Sequence, residues 1–507
     1  MDLGTAMRWT AERYPDRRAV GGAHPLTYAE WDDRTSRLAR ALGELGVRAG
    51  DNVVLVLAGG LPLASLHLAA QKIGAVSVPL SFRFSVPELA YCVADAAPSL
   101  VIHDDENAEP VARALAGIPG VRRVSADEVG RVAGRGGPAP AVPVADGAPS
   151  VMLYTSGTTG KPKGVPRSHA AEHSAALAHI IQTGQSYFDA TLGVMPLFHT
   201  MGMRTLLSTI LTAGTWVPQV RFDADEALEL VEREKIGSLF LVPTIYWSLL
   251  RTGRLGEAAS VRKIAYAGAA MTTSLAEQLA DALAPESFVN HYGSTEIYTF
   301  SIGPDAVAKP GSAGRAGLFS RVRLVRPDPD ATADDVVGPG ERGQIAVSMA
   351  SPEAFAGYWR RPDADSKAIR GGWYFPGDLA VADEAGDLWV SGRIDDMINS
   401  GGENIYPEEI ENALAACPAV REVVVTGTAD DRWGQAVTAF VVPEHGITPD
   451  EAVAAASRFA REESGLPSLK RPKRVVAVRE IPKSGVGKIL RRELSAVLAE
   501  HDLEESR

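Results

Sequence analysis

Tyr154-Thr155-Ser156-Gly157-Thr158-Thr159-Gly160-Lys161-Pro162-Lys163-Gly164 places three glycines, four Ser/Thr hydroxyls and two lysines within eleven residues, directly after the apolar run Val151-Met152-Leu153. Glycine lets the backbone approach a ligand closely and tolerates positive φ. Successive backbone N–H groups in such a turn form an anion-binding concavity, to which hydroxyl and ammonium donors add. The stretch reads as a buried strand running into a polyphosphate-holding loop. It is not a Walker A loop, because Gly157 and Gly160 are too close together and Pro162 follows Lys161.

The same strand-then-loop punctuation extends to both sides. Thr27-Tyr28-Ala29-Glu30 is a capping-box pattern ahead of Trp31, Leu38, Leu42 and Leu45, which have helical spacing. Val53 to Leu57 reads as a buried strand, and helix–strand alternation continues through Leu66–Pro79, Glu88–Ile102, Ala227–Val242 and Leu275–Val289. Such alternation predicts an α/β fold with largely parallel, buried sheets. Ala133 to Pro149, rich in Gly, Pro and Ala, is expected to be a connecting loop. A domain boundary is expected near Asp395, because Pro407 then opens a new helix before Glu408, Glu409, Ile410 and Leu414. Strand-like runs follow at Glu422–Thr426, Ala436–Val442 and Arg474–Val478, which makes a compact α+β unit.

A chain of 507 residues is too long for one hydrophobic core. No apolar run approaches the roughly 18 residues a membrane helix needs. With Asp2, Arg8 and Glu12 near the start and no apolar h-region, a secretory signal is not expected. Cys92 and Cys417 lack metal-ligand spacing and read as reduced thiols of a cytoplasmic protein. A net charge of −12 argues against nucleic-acid and anionic-membrane partners. Between Leu466 and Arg492, however, nine Lys/Arg face a single acid, Glu480. That stretch is either a solvated basic face or a rim that attracts phosphates.

Further motifs recur in order along nearly the whole chain: Lys72-Ile73-Gly74-Ala75-Val76 with Pro79-Leu80, Pro196-Leu197-Phe198-His199, Tyr292-Gly293-Ser294-Thr295-Glu296, Gly377-Asp378, Gly392-Arg393-Ile394-Asp395-Asp396, and Pro482-Lys483-Ser484-Gly485-Val486-Gly487-Lys488. Together with the glycine-rich loop they resemble the adenylate-forming superfamily, in its acyl- and aryl-CoA ligase branch. The pattern is most similar to benzoate-type, chlorobenzoate CoA ligases. The resemblance implies a large N-terminal multi-sheet α/β domain, 1–394, and a small mobile C-terminal α+β lid, 395–507, with the hinge at Asp395. It also implies ATP, Mg²⁺ and coenzyme A as reaction partners of a small carboxylic acid, hydrophobic and either aromatic or bulky and alicyclic. It is compatible with a homodimer. Two other readings stay open: an enzyme that only transfers a preformed acyl-adenylate to CoA, and a stand-alone adenylation enzyme that loads a carrier protein.

Residue roles follow from the same resemblance. Thr155, Ser156, Gly157, Thr158, Thr159, Gly160 and Lys163 would hold the phosphates. Tyr292 would stack on adenine, with Gly293, Ser294 and Thr295 beside it, while Asp378 and Arg393 would take the ribose. Glu296 would ligate Mg²⁺, which usually takes one or two carboxylates plus phosphate oxygens. Lys488 would bridge carboxylate and α-phosphate, with Glu296, Thr155 and His199 as its catalytic companions. A lone histidine in an apolar run is more often a core residue, but after Pro196-Leu197-Phe198 the resemblance makes His199 a gate between acyl pocket and CoA tunnel. Leu177, His199, Phe240, Ala267, Gly268, His291, Gly293 and Tyr298 would line the acyl pocket, where His291 could bond a hydroxyl or carbonyl. Ser400, Gly401, Gly402, Glu403, Trp433 and Arg471 would contact CoA.

Three positions depart from the family pattern. Phe375-Pro376 stands before Gly377-Asp378 where Thr or Ser is usual, so a donor and a hydroxyl are lost there. Leu469 replaces a common aromatic. Leu177, among Ala175, Ala176 and Ala178, leaves room beyond a single ring.

Overall fold

The computed structural model describes residues 1–139, 142–155, 161–328, 330–400, 403–430, 432–483, 489–491 and 493–494, with the backbone alone at 403–404. Its contacts gather into two compact units. The first comprises Met1–Arg323, Ala346–Pro376 and Ala382–Trp389; the second comprises Leu324–Ile345, Gly377–Val381 and Val390–Arg507.

Two large, mainly parallel sheets form most of the first unit. Among the described residues, one runs Arg122–Ser125, Leu100–His103, Asn52–Val56, Val76–Pro79, Pro149–Thr155, Lys163–Ser168, parallel except for the last antiparallel pair. In the other, Ser287–Tyr292, Lys263–Tyr266, Ile236–Leu241, Ala190–Gly193, Thr215–Pro218 and Arg18–Val20 lie parallel, with short antiparallel strands at both edges. Asn52–Val56 and Val76–Pro79 are buried throughout, as parallel strands covered on both faces must be. The predicted α/β class is the one observed.

The helices that cover these sheets begin where the sequence says they should. Thr27 and Glu30 form a reciprocal capping box on the helix Tyr28–Glu44. Its buried Trp31 stacks on Trp216 with centroids 6.3 Å apart and donates its indole N–H to Ser65 Oγ at 3.0 Å. Lys72, at the end of the helix Gly60–Lys72, donates to the Asp32 carboxylate at 2.6 Å, to the Asp32 carbonyl and to Ser36 Oγ. Burial pushes the Lys72 ammonium down despite Asp32 beside it. This early motif therefore ties the helix Gly60–Lys72 to Tyr28–Glu44.

The second unit centres on a long hairpin, Val420–Asp430 with Gly434–Pro443, flanked by the helices Pro407–Leu414 and Pro449–Glu462 and the parallel strand Arg474–Ala477. Pro407 stands in the first helical turn, where its missing N–H costs nothing. Arg491 donates to the Glu411 and Glu408 carboxylates and to the Val425 carbonyl. Lys470 is paired with Glu409 and Lys483 with Glu422. Part of the basic stretch is thus neutralised by acids from elsewhere in the same unit.

Candidate active site

In open parallel sheets, ligands bind at the carboxyl ends of the strands. Most of the first unit's expected site residues fall there. Pro149–Thr155 ends on Thr155 and runs into the glycine-rich loop, whose residues Ser156 to Gly160 lie outside the described residues. Ser287–Tyr292 leads into Gly293–Glu296, Ile236–Leu241 closes on Phe240, and Lys263–Tyr266 leads to Ala267 and Gly268. His199 follows the strand Ala190–Gly193 and caps the helix Thr200–Leu211.

Glu296 is 6% exposed, on a turn closed by the Ser294 N–H donating to the Ile297 carbonyl at 3.0 Å. A β-carbon at Gly293 would collide with the Tyr298 carbonyl, so only glycine fits where this turn leaves its strand. Tyr358 O–H donates to Glu296 Oε1 at 2.7 Å, and the Lys163 ammonium sits 4.1 Å from the Tyr358 ring centroid. Burial, then the Glu296 carboxylate, pushes the Tyr358 phenol up, so it stays a donor. Lys163 is the register partner of Thr155, and the Trp359 N–H donates to the Gly164 carbonyl at 2.9 Å. A chain of contacts thus runs from the phosphate-loop hairpin to the Glu296 carboxylate.

Arg167, on the strand Lys163–Ser168, reinforces that link. Its fully buried guanidinium donates to the carbonyls of Thr295, Glu296 and Glu353 at 3.1, 3.2 and 2.9 Å and is ion-paired with Glu172. Glu172 in turn accepts from Tyr298 O–H at 3.1 Å. A buried charge survives only when paired and hydrogen-bonded, and Arg167 is both. Sequence reasoning missed Arg167, Glu172 and Tyr358. Gly357, at φ +134° before the aromatic pair Tyr358-Trp359, was the one local signal.

Three expected acyl-pocket residues come together. The His291 ring lies 5.1 Å from that of Phe240, and Arg204 reaches both Phe240 and Tyr298, its guanidinium 5.9 and 5.2 Å from their centroids. His179 packs 4.8 Å from Phe240 and 5.3 Å from His291. Neither Arg204 nor His179 was expected. His199 packs on Phe198 with centroids 4.8 Å apart, and burial, then Arg83, pushes its imidazole down to about 4. Leu177, on the helix His169–Thr183, is 37% exposed, and Gly268 has φ +86°.

Within the second unit, Arg393 and Asp378 form an ion pair at 3.4 Å, and the Ile394 N–H donates to the Gly377 carbonyl at 2.8 Å. Asp395 is exposed in the short 3-10 turn Ile394–Asp396. Ser400 is the register partner of Gly434, which places it beside Trp433, and the Lys473 ammonium lies 5.3 Å from the Trp433 ring centroid. Arg471 Nε donates to the Leu466 carbonyl at 2.9 Å. Gly401, Gly402 and Lys488 lie outside the described residues, as does the Glu403 side chain.

Among the described residues, no group of three or more His, Cys, Asp or Glu could hold a metal ion. Glu296 as a single buried carboxylate suits Mg²⁺, which draws most of its ligands from phosphate and water. No helix among the described residues is long and apolar enough to cross a membrane.

The parallel sheets bring the strand end at Thr155 and the buried Glu296 carboxylate to their carboxyl ends, where a nucleotide-using α/β enzyme places its ligands. The chain belongs to the AMP-binding enzyme family: residues 7–359 match it, and residues 409–488 match the AMP-binding enzyme C-terminal domain. It is 37% identical to a feruloyl-CoA synthase of Amycolatopsis sp. over 481 residues, covering 93% of this chain and 94% of that protein. A 4-chlorobenzoate–CoA ligase of Arthrobacter sp. is 33% identical over 508 residues, covering 97% and 94%. An O-succinylbenzoate coenzyme A synthetase from Bacillus subtilis, solved in complex with ATP and magnesium ion, superposes with a TM-score of 0.84 at 26% identity, covering 96% of this chain and 98% of that one. The chain is an enzyme of the CoA-ligase branch, whose members use ATP, Mg²⁺ and coenzyme A.

Proposed function

We propose that this ligase converts a hydrophobic carboxylic acid, aromatic or bulky and alicyclic, into its CoA thioester through an acyl-adenylate. The supporting observation is the buried Glu296 carboxylate, held by Tyr358 on the turn after Ser287–Tyr292, on the same unit as the packed cluster of Phe240, His291 and Tyr298. Joining a carboxylate to a thiol in water is uphill. A carboxylate oxygen therefore attacks the α-phosphate of ATP and pyrophosphate leaves. The CoA thiolate then attacks the activated carbonyl and AMP leaves. The first step brings two anions together, so catalysis is mainly charge neutralisation and positioning.

Lys488 bridges the carboxylate and the α-phosphate. Thr155 to Gly160 and Lys163 hold the phosphates, Tyr292 to Thr295 hold the base, and Asp378 and Arg393 hold the ribose. Glu296 would hold Mg²⁺, which supplies charge neutralisation at the phosphate oxygens. His199 separates the acyl pocket from the CoA path, along which Ser400, Gly401, Gly402, Glu403, Trp433 and Arg471 contact the second substrate. Residues 395–507 act as a lid that turns at Asp395 between the two steps. Pyrophosphate exchange with a panel of acids, with and without CoA, tests this reading. Acid-dependent exchange without CoA, and thioester with it, is expected.

A second reading is favoured by Pro376 before Gly377-Asp378, where the family usually offers a hydroxyl. On that reading only the transfer of a preformed acyl-adenylate to CoA survives. Absent exchange across the panel, with rapid thioester formation from synthetic acyl-adenylates, would select it over the first.

A further inference from the structure

Arg204 lies in the middle of the helix Thr200–Leu211, among the buried Met203, Leu206 and Leu207, and is 3% exposed. Taking a guanidinium out of water costs several kcal/mol unless its donors and its charge are both met. Arg167 has its charge met by Glu172 and donates to three carbonyls, although one of its terminal nitrogens also lacks a partner. Arg204 has neither an ion pair nor a carbonyl acceptor among the described residues. One of its terminal nitrogens is 3.1 Å from His291 Nδ1, and its guanidinium also lies near the rings of Phe240 and Tyr298. Arg204 Nε, His291 Nε2 and His179 Nδ1 are all buried without a hydrogen-bond partner among the described residues. The two imidazole rings and Phe240 are within 5.3 Å of one another, so these orphaned atoms share one locus. Buried polar groups are almost always satisfied, and a cluster of exceptions points to a ligand or an ordered water.

The charge balance narrows the ligand. Burial pushes the Arg204 guanidinium down, and the fully buried Glu353 offsets only part of this through space. Burial, then Arg204, pushes both His179 and His291 well down, so both rings are neutral. Glu353 already supplies a counter-charge, so the unpartnered nitrogens are better met by a neutral oxygen than by a second carboxylate.

We propose that Arg204, His291 and His179 form a subsite that receives a hydroxyl or carbonyl oxygen on the acyl group, distal to the carboxylate being activated. The inference rests on the ligase reading and names the class of acid within it. Arg204 is then a specificity-determining residue: a site built to bond an oxygen rejects the analogue that lacks it far more strongly than an apolar pocket rejects an extra group.

The test compares matched acids: 3-phenylpropenoate with its 4-hydroxy and 4-carboxy forms, and cyclohexanecarboxylate with its 4-oxo form. Both kcat/KM for thioester formation and the calorimetric Kd are measured. At least one oxygen-bearing acid should be preferred over its parent by about tenfold to a hundredfold, the range of one hydrogen bond to a charged group. In Arg204→Met that ratio should fall toward one, and Arg204→Lys should restore part of it. His291→Leu should lower the same ratio, which covers a failure of Arg204→Met to fold. Equal use and equal binding of parent and oxygenated acids by the wild type overturns the proposal, because a water then satisfies the cluster. So does an equal loss for both members in Arg204→Met, or a preference for the 4-carboxy acid. Binding decides the matter without turnover: if no acid is adenylated, the ligase reading fails while a preference in Kd still upholds the subsite.

Discussion

At Glu296 the Tyr358 phenol donates to one carboxylate oxygen at 2.7 Å, while the Lys163 ammonium lies over the same ring. Tyr358→Phe keeps the ring and that cation contact but removes the hydrogen bond, which is worth about 1.5–3 kcal/mol when one partner is charged. Pyrophosphate exchange should fall by about tenfold to a hundredfold, with thioester formation from supplied acyl-adenylate much less affected. An unchanged exchange rate would show that Glu296 is held without Tyr358. Lys488 carries a different expectation. Lys488→Ala should slow adenylation by on the order of 10²–10³, the usual loss for one positioned charge-stabilising group, and largely spare transfer from synthetic adenylate. Equal loss in both half-reactions argues against separate lid positions for the two steps.

Between the strand Leu388–Arg393 and the strand Ile398–Ser400 stands a single 3-10 turn, Ile394–Asp396, with Asp395 exposed at its centre. Proline fixes φ near −65°, so Asp395→Pro should hold this turn in one state. One half-reaction should persist and the other collapse. Stopped-flow measurement of each half-reaction separately decides this, and full rates in both would move the hinge elsewhere. Elements of this kind were legible in the sequence because their signals are local. Thr27 and Glu30 cap the helix that follows them, and Pro407 opens its own. The pocket was legible only in part. His291 and Phe240 end strands that the apolar runs announced, but Arg204 meets His291 across 87 residues and Tyr358 meets Glu296 across 62. No spacing pattern reports such a pairing. Arg204 carries no local signal of its burial or of its partner.

At the scale of the whole molecule, several histidines among the described residues are buried in their neutral form. Burial pushes His67 down to about 3 and both His169 and His199 down to about 4. His67 is enclosed beside Gln71, and His169 Nδ1 accepts the Leu3 N–H at 3.2 Å, which fastens the first helix. A histidine whose folded pKa is depressed gives its full stability above its unfolded value near 6.5 and loses it as pH falls through the folded value. His199 alone accounts for on the order of 3 kcal/mol by this linkage. The urea midpoint should therefore drop steadily from pH 7 to pH 4, and His67→Gln should flatten that slope; a midpoint independent of pH would contradict it. Arg167 has a consequence for how the chain is made. Its carbonyl partners lie 128, 129 and 186 residues downstream. At ribosomal speeds of about 5–20 residues per second, the nascent polypeptide carries this cation for roughly ten to forty seconds before Glu353 has been synthesised to receive it. The first unit therefore completes its interior late in translation, and a holdase chaperone has its natural opportunity in that interval.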